Sequence, residues 1–171
     1  MTTANAYPVT QTIRTIGILG GGQLGMMLAQ AAMPLGYQCV FLEDNADCPA
    51  SLYGKVFSSE QLDEFIAAAD VFTLEFENTP TATVEQLAHL SKSGSKQGMF
   101  PPPLALDIAQ DRLKEKGMFN ELDIATVPFM AVNSEAELKQ ACDELGLPIV
   151  LKTSRGGYDG KGQFVIKEDS D

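Results

Sequence analysis

Ile16-Gly17-Ile18-Leu19-Gly20-Gly21-Gly22-Gln23-Leu24-Gly25 is the stretch on which the fold turns. A short apolar run that ends in glycines reads as a buried strand, and the pattern places it over Thr12 to Leu19. From Gln23 to Leu35 the spacing turns helical, with Leu24, Met27, Leu28 and Ala31 on one face, and Pro34 and Gly36 stop it. Gln38 to Leu42 is a second apolar strand. Strand, loop, helix, strand at this spacing predicts a right-handed parallel crossover. Gly20-x-Gly22-x-x-Gly25 lets the backbone turn tightly and aims free N–H groups of the helix start at an anion. The helix dipole adds only about 0.3–1 kcal/mol at an exposed site, so it does not hold a ligand alone. Glu43 or Asp44 falls where a ribose-binding acid would sit. Three readings stand side by side here: close helix–strand packing, NAD binding, and binding of another phosphorylated ligand.

Working outward, the alternation repeats. Lys55 to Phe57 and Val71 to Leu74 read as strands, and Glu60 to Ala69 and Thr81 to Leu90 as helices. This predicts an α/β fold with an open, mostly parallel sheet. Its ligands sit beyond the carboxyl ends of the strands. Gly20–Gly25, Glu43-Asp44 and Glu75-Phe76-Glu77-Asn78 all follow strands and share that rim. Strand alternation would point Glu75 and Glu77 the same way, either as holders of ribose hydroxyls or an amine, or as a solvated strand end. A Ser/Gly/Lys-rich stretch from Ser91 to Gln97 and Pro101-Pro102-Pro103 then mark a boundary.

The second part has a different grammar. Leu104 to Leu122 is helical in pattern, and a strand is expected near Phe129 to Val132. Ser134 and Glu137 form a capping box for a helix over Glu135 to Leu145, ended by Gly146. Pro148 to Lys152 and Gln163 to Lys167 are strands joined by Arg155-Gly156-Gly157-Tyr158-Asp159-Gly160-Lys161-Gly162. The glycine amides of that loop suit an anion nest, and Lys161 adds charge. Lys152 ends an apolar strand, where burying an ammonium is costly unless it meets an anion; the alternative is an outward edge lysine. An ordinary Asp-Gly turn is the plain reading of Asp159-Gly160. No G-x-x-x-x-G-K-[ST] run is present, so this is not a Walker A loop.

Composition narrows the classes. A net charge of −11 argues against duplex DNA or an anionic membrane as partner. No stretch has the length of a membrane span, and Met1 to Gln11 has the composition of a short disordered leader rather than a signal peptide. Cys39, Cys48 and Cys142 form no CxxC pair, which suits reduced thiols in the cytoplasm, with Cys39 in the core. His89 falls in a surface helix and receives no role.

Gly20-Gly21-Gly22-Gln23-Leu24-Gly25-Met26-Met27-Leu28, Thr73-Leu74-Glu75-Phe76-Glu77-Asn78, Gln110-Asp111-Arg112, Lys152 and Gly156-Gly157-Tyr158-Asp159-Gly160-Lys161-Gly162-Gln163 occur in that order. This resembles the PurK-type 5-(carboxyamino)imidazole ribonucleotide synthases of the ATP-grasp superfamily, from Ile13 to Lys167. The resemblance implies a Rossmann-like pre-ATP-grasp domain over residues 12–100, after a leader over 1–11. A linker and helix over 101–123 and an incomplete α+β ATP-grasp segment over 124–171 follow. It implies ATP and Mg²⁺ as cofactors, bicarbonate and aminoimidazole ribonucleotide as small-molecule partners, and a cytoplasmic homodimer for the full-length protein, with no nucleic acid and no membrane. By the same resemblance Arg112, Lys152, Gly157, Tyr158, Asp159, Gly160, Lys161, Gly162 and Gln163 meet ATP. Gly22, Gln23, Leu24 and Glu75 meet the ribonucleotide, and Tyr158, Asp159 and Lys161 share in catalysis. Members of that family run well beyond this length, so the chain is read as an N-terminal fragment. It would be inactive alone, with its metal ligands elsewhere. A fragment of an NAD-binding dehydrogenase and a non-catalytic nucleotide-binding module are the competing readings.

Overall fold

A computed structural model describes residues 14–92, 98–157 and 160–168. The leader and the first residues of the opening strand, Thr12 and Ile13, lie outside the described residues, as does most of the Ser91–Gln97 stretch. The chain divides into two compact units, Met1–Pro103 and Leu104–Asp171.

In the first unit β1 (Thr15–Leu19), β2 (Gln38–Leu42), β3 (Gly54–Phe57) and β4 (Val71–Leu74) form one parallel sheet in the order β3-β2-β1-β4. The connections carry α1 (Gln23–Ala32), α2 (Leu62–Ala68) and short 3-10 turns, and α3 (Thr81–Lys92) follows β4. The strand order reverses between β1 and β4, so the loops after these two strands flank the crevice where such sheets take ligands. Met99 adds a parallel bridge beside Phe72.

Alternation along β1 splits the core into two layers. Ile18 packs with Ala29, Ala32, Cys39, Phe41 and Ala50 under α1. Burial pushes the Cys39 thiol up. Gly17 faces the other side, where Phe65 lies between Phe57 and Phe72 at centroid distances of 6.1 and 5.5 Å. A Cβ on Gly17 would stand 2.7 Å from Phe72 and 2.8 Å from Phe65, so glycine here makes room for aromatic rings.

The packed face of α1 corrects the sequence expectation. Gly25, Ala29 and Ala32 are buried, whereas Leu24 and Met27 are 55% and 51% exposed. Small residues let the helix approach β2 and the 3-10 turn over Pro49–Leu52 closely, and that proximity outweighs the area the larger side chains would bury.

In the second unit α4 (Pro103–Ala109, its first residue in the first unit) and α5 (Arg112–Glu121) replace the single helix expected over Leu104–Leu122. The chain breaks at Asp111, whose extended backbone makes it the N-cap of α5; its carboxylate accepts from the Leu113 N–H at 3.0 Å. No strand forms at Phe129–Val132: that segment finds no ladder partner among the described residues and runs along a cavity instead. α6 (Glu135–Leu145) starts as expected, with Ser134 Oγ accepting from the Glu137 N–H at 3.2 Å. Glu137 reaches back to the Asn133 N–H at 2.6 Å, one residue earlier than a simple capping box. β5 (Ile149–Lys152) and β6 (Gln163–Ile166) form an antiparallel hairpin that pairs Lys152 with Gln163.

Among the described residues no helix is long and apolar enough to cross a membrane.

Candidate functional site

The loop after β1 is closed by the protein's own carboxylates. Glu75, directly after β4, accepts through Oε1 from the Gly22 N–H at 2.8 Å and through Oε2 from the Gly25 N–H. Glu43, after β2, accepts from the Gly21 N–H at 3.2 Å and the Asn45 N–H at 3.1 Å. The glycines are needed for these contacts. A Cβ on Gly22 would lie 2.7 Å from Glu75 Oε1, and one on Gly25 would lie 2.9 Å from both Glu75 Oε2 and the Gly20 carbonyl. Gly20 itself has φ +98°, which suits glycine. Two of the amides expected to face a ligand anion are therefore paired with Glu75 across 53 and 50 residues of sequence. The pyrophosphate of a dinucleotide needs those amides bare, so the dehydrogenase expectation loses its anion site.

Strand alternation does not extend to Glu77, because β4 ends at Leu74 and a turn covers Glu77 and Asn78. Thr79 Oγ1 holds that turn by donating to the Phe76 carbonyl at 2.8 Å. Asp44 turns away from the loop: its carboxylate accepts from the Ser59 N–H at 2.7 Å, which holds its carboxyl below the usual range.

The second unit gathers cations around a small cavity of about 70 Å³. Arg112, Lys152, Gly157, Gly160, Lys161, Gly162 and Gln163 line it, with Thr153. Seven of the nine residues expected to meet ATP are thus brought together; Tyr158 and Asp159 lie outside the described residues. Lys152 is exposed, so the burial argument made from sequence does not apply to it; its place beside Arg112 and the glycine amides remains. The side chains of Arg112 and Lys152 have no hydrogen-bond or ion-pair partner among the described residues.

Sequence reasoning passed over Thr153. The Thr153 N–H donates to the Gly162 carbonyl at 2.9 Å, which carries the β5–β6 ladder into the loop. Thr153 Oγ1 fills the space beside Gly157 and Gly162: a Cβ on either would stand 3.0 or 2.7 Å from it. Gly160 and Gly162 have φ of +79° and +71°, so the loop's path is glycine-dependent. The only signal in the sequence was the position of Thr153 immediately after Lys152.

A larger cavity of about 660 Å³ lies among Val127–Asn133, Leu138, Ala141 and β5. Its lining is chiefly apolar, but it shares Arg112, Lys152 and Thr153 with the small cavity and adds Lys116, so the two adjoin at these cations. No group of three or more potential metal ligands occurs among the described residues, and no described residue lining the cationic cavity is acidic. That lining does not fit a divalent cation held by protein alone.

Comparison with known proteins agrees with this division. A model described as the ribonucleotide synthetase preATP-grasp domain matches residues 13–110, and an ATP-grasp domain model matches residues 117–171. The N5-carboxyaminoimidazole ribonucleotide synthase of Brucella melitensis is 44% identical over 155 residues, 87% of this chain and 41% of that protein. The crystal structure of N5-carboxyaminoimidazole synthetase from Staphylococcus aureus with ADP superposes with a TM-score of 0.82 at 36% identity, over 92% of this chain and 42% of that one. The Aspergillus clavatus N5-carboxyaminoimidazole synthase, solved with ADP and 5-aminoimidazole ribonucleotide, gives a TM-score of 0.75 at 27% identity, over 92% and 41%. The chain thus spans about two-fifths of the length of these relatives. With the model match running through the four-stranded sheet and its glycine loop, the chain belongs to the ribonucleotide synthetase preATP-grasp family.

Proposed function

We propose that this chain supplies the acceptor rim and the phosphate-binding flap of an ATP-grasp ligase. The ligase converts aminoimidazole ribonucleotide, bicarbonate and ATP to 5-(carboxyamino)imidazole ribonucleotide, ADP and phosphate. A bicarbonate oxygen attacks the γ-phosphorus and ADP leaves, giving carboxyphosphate. The amine of the ribonucleotide then attacks the carboxyl carbon, forms the C–N bond and releases phosphate.

The cationic cavity is the observation that carries this reading. Phosphoryl transfer asks the protein mainly for positioning and charge neutralisation. Arg112 and Lys152 meet the ATP phosphates, and the amides of Gly157, Gly160 and Gly162 close over them with Lys161 and Gln163. Tyr158, Asp159 and Lys161 belong to substrate placement and catalysis at the flap. Gly22, Gln23, Leu24 and Glu75 form the acceptor rim. Because Glu75 and Glu43 already fill the amides of Gly21, Gly22 and Gly25, that rim suits a hydrogen-bond donor, such as a ribose hydroxyl or the amine, better than a phosphate. The preATP-grasp part covers residues 12–100 after the leader over 1–11, residues 101–123 link the two parts, and the grasp begins near residue 124. Mg²⁺ enters with the nucleotide, on acidic ligands from the rest of a longer protein. We read this chain as part of such a longer protein, one that works as a cytoplasmic homodimer, and the chain alone as inactive; the greater length of the relatives supports that reading.

The test is ATP turnover by the longer protein. Hydrolysis is expected only when aminoimidazole ribonucleotide and bicarbonate are both present. Removing one charge-assisted contact costs about 1.5–3 kcal/mol, so Lys152→Ala should weaken ATP binding roughly tenfold to a hundredfold. Unchanged nucleotide affinity would remove Lys152 from the phosphate site.

A further inference from the structure

Arg155 opens the glycine loop, yet its guanidinium turns away from the cationic cavity. Nε donates to Asp111 Oδ2 at 3.1 Å, one terminal nitrogen to Gln110 Oε1 at 3.5 Å, and the other lies 3.7 Å from Asp107 Oδ1. Two nitrogens of the fork are thus committed to Gln110 and Asp111 in the turn between α4 and α5, while the third only approaches Asp107 of α4, whose carboxylate Lys114 holds at 2.6 Å. Arg155 is absent from the residues that line the cavity, whereas Arg112, next to Asp111, lines it. A second tie runs parallel to the first: the Arg112 N–H donates to the Ser154 carbonyl at 2.9 Å. Asp111 therefore works in two directions at once. Oδ1 caps α5 through the Leu113 N–H, and Oδ2 holds Arg155.

We propose that Arg155 and Asp111 form a latch that fixes the foot of the glycine flap to the start of α5 and so sets Arg112 beside Lys152. Arg155 is a positioning residue in this arrangement and makes no contact with the nucleotide. An exposed ion pair alone contributes little. This one is strengthened by a charge-assisted hydrogen bond, by a second acceptor on Gln110, and by a carboxylate already oriented as a helix cap. The foot of the flap at Thr153–Arg155 is thereby tied to the start of α5, which keeps Arg112 beside Lys152. The inference rests on the phosphate-binding reading of the cavity.

A double-mutant cycle on the chain itself tests it, with inorganic tripolyphosphate as the probe. Binding is read from the amide resonances of Gly160 and Gly162, and folding from thermal unfolding of each variant. Arg155→Ala and Asp111→Asn should each weaken binding by roughly fivefold to tenfold, and the pair together should do no more than either alone. In an Arg112→Ala background Arg155→Ala should have no further effect, because the residue it positions is gone. If Arg155→Ala still weakens binding in that background, Arg155 touches the phosphate and the latch is wrong. If Arg155→Ala changes nothing, the latch has no function. If the unaltered chain does not respond to tripolyphosphate, the phosphate reading of the cavity falls first and takes the latch with it. Arg155→Gln, which keeps length and polarity, replaces alanine should the latter unfold the second unit, with the same outcomes expected.

Discussion

Glu75 Oε1 accepts from the Gly22 N–H at 2.8 Å, so the carboxylate at the end of β4 occupies the helix-start position usually left for a ligand's anion. The bond crosses the point where strand order reverses, between β1 and β4. It ties together two motifs that strand order alone had already put on one rim.

Removing that carboxylate should destabilise the first unit. Glu75→Ala leaves the Gly22 and Gly25 amides without their acceptor, and an unmet part-buried donor costs about 1–3 kcal/mol. Glu75→Gln keeps one acceptor oxygen and should lose less. Urea unfolding of the two variants checks the order; equal stability of Glu75→Ala and the parent chain would mean that water replaces the carboxylate without loss.

Two glycines should respond to alanine in opposite ways. Gly17→Ala drives a Cβ to within 2.9 Å of Phe72, Phe65 and Ala69, and overpacking of this kind costs about 1–3 kcal/mol. Gly117 lies inside α5 with nothing within 4 Å of an added Cβ. There Gly117→Ala should stabilise by about 0.5–1 kcal/mol through helix propensity. Thermal melts of both variants, followed by circular dichroism, read the two signs.

Acid should loosen the latch. Partial desolvation raises the Asp111 carboxyl, but the Leu113 and Lys114 amides and the Arg155 guanidinium outweigh it and hold the group below its ordinary range. A folded-state value below the unfolded one means that its stabilisation is complete above an unfolded pKa of about 3.9 and is lost as pH falls through the folded value. Asp111→Asn should therefore flatten the acid limb of the unfolding profile while keeping the helix cap. An unchanged acid limb in that variant would assign the pH dependence to other carboxylates.

Local signals made much of the architecture legible in the chain alone. Apolar runs and glycine stops gave β2 and β4 at their observed limits, and Ser134 with Gly146 bounded α6, because caps and periodicity act within a few residues. Part of the cationic cavity was legible for a similar reason, since Lys152, Lys161 and the loop glycines are neighbours along one hairpin; Arg112 and Gln163 came only with the family resemblance, and Thr153 was missed. What tertiary structure decided depended on groups far apart in sequence. Small residues on α1 won the sheet face from Leu24 and Met27, because only a packed neighbour makes close approach favourable. Phe129–Val132 formed no strand, since a ladder needs an edge to pair with. Asp111 ended α4 and caught Arg155 from 44 residues away, and Glu75 filled the glycine loop from more than 50. Spacing along a chain records which conformations each segment favours locally; which amide meets which carboxylate is fixed only when the sheet brings their strands together.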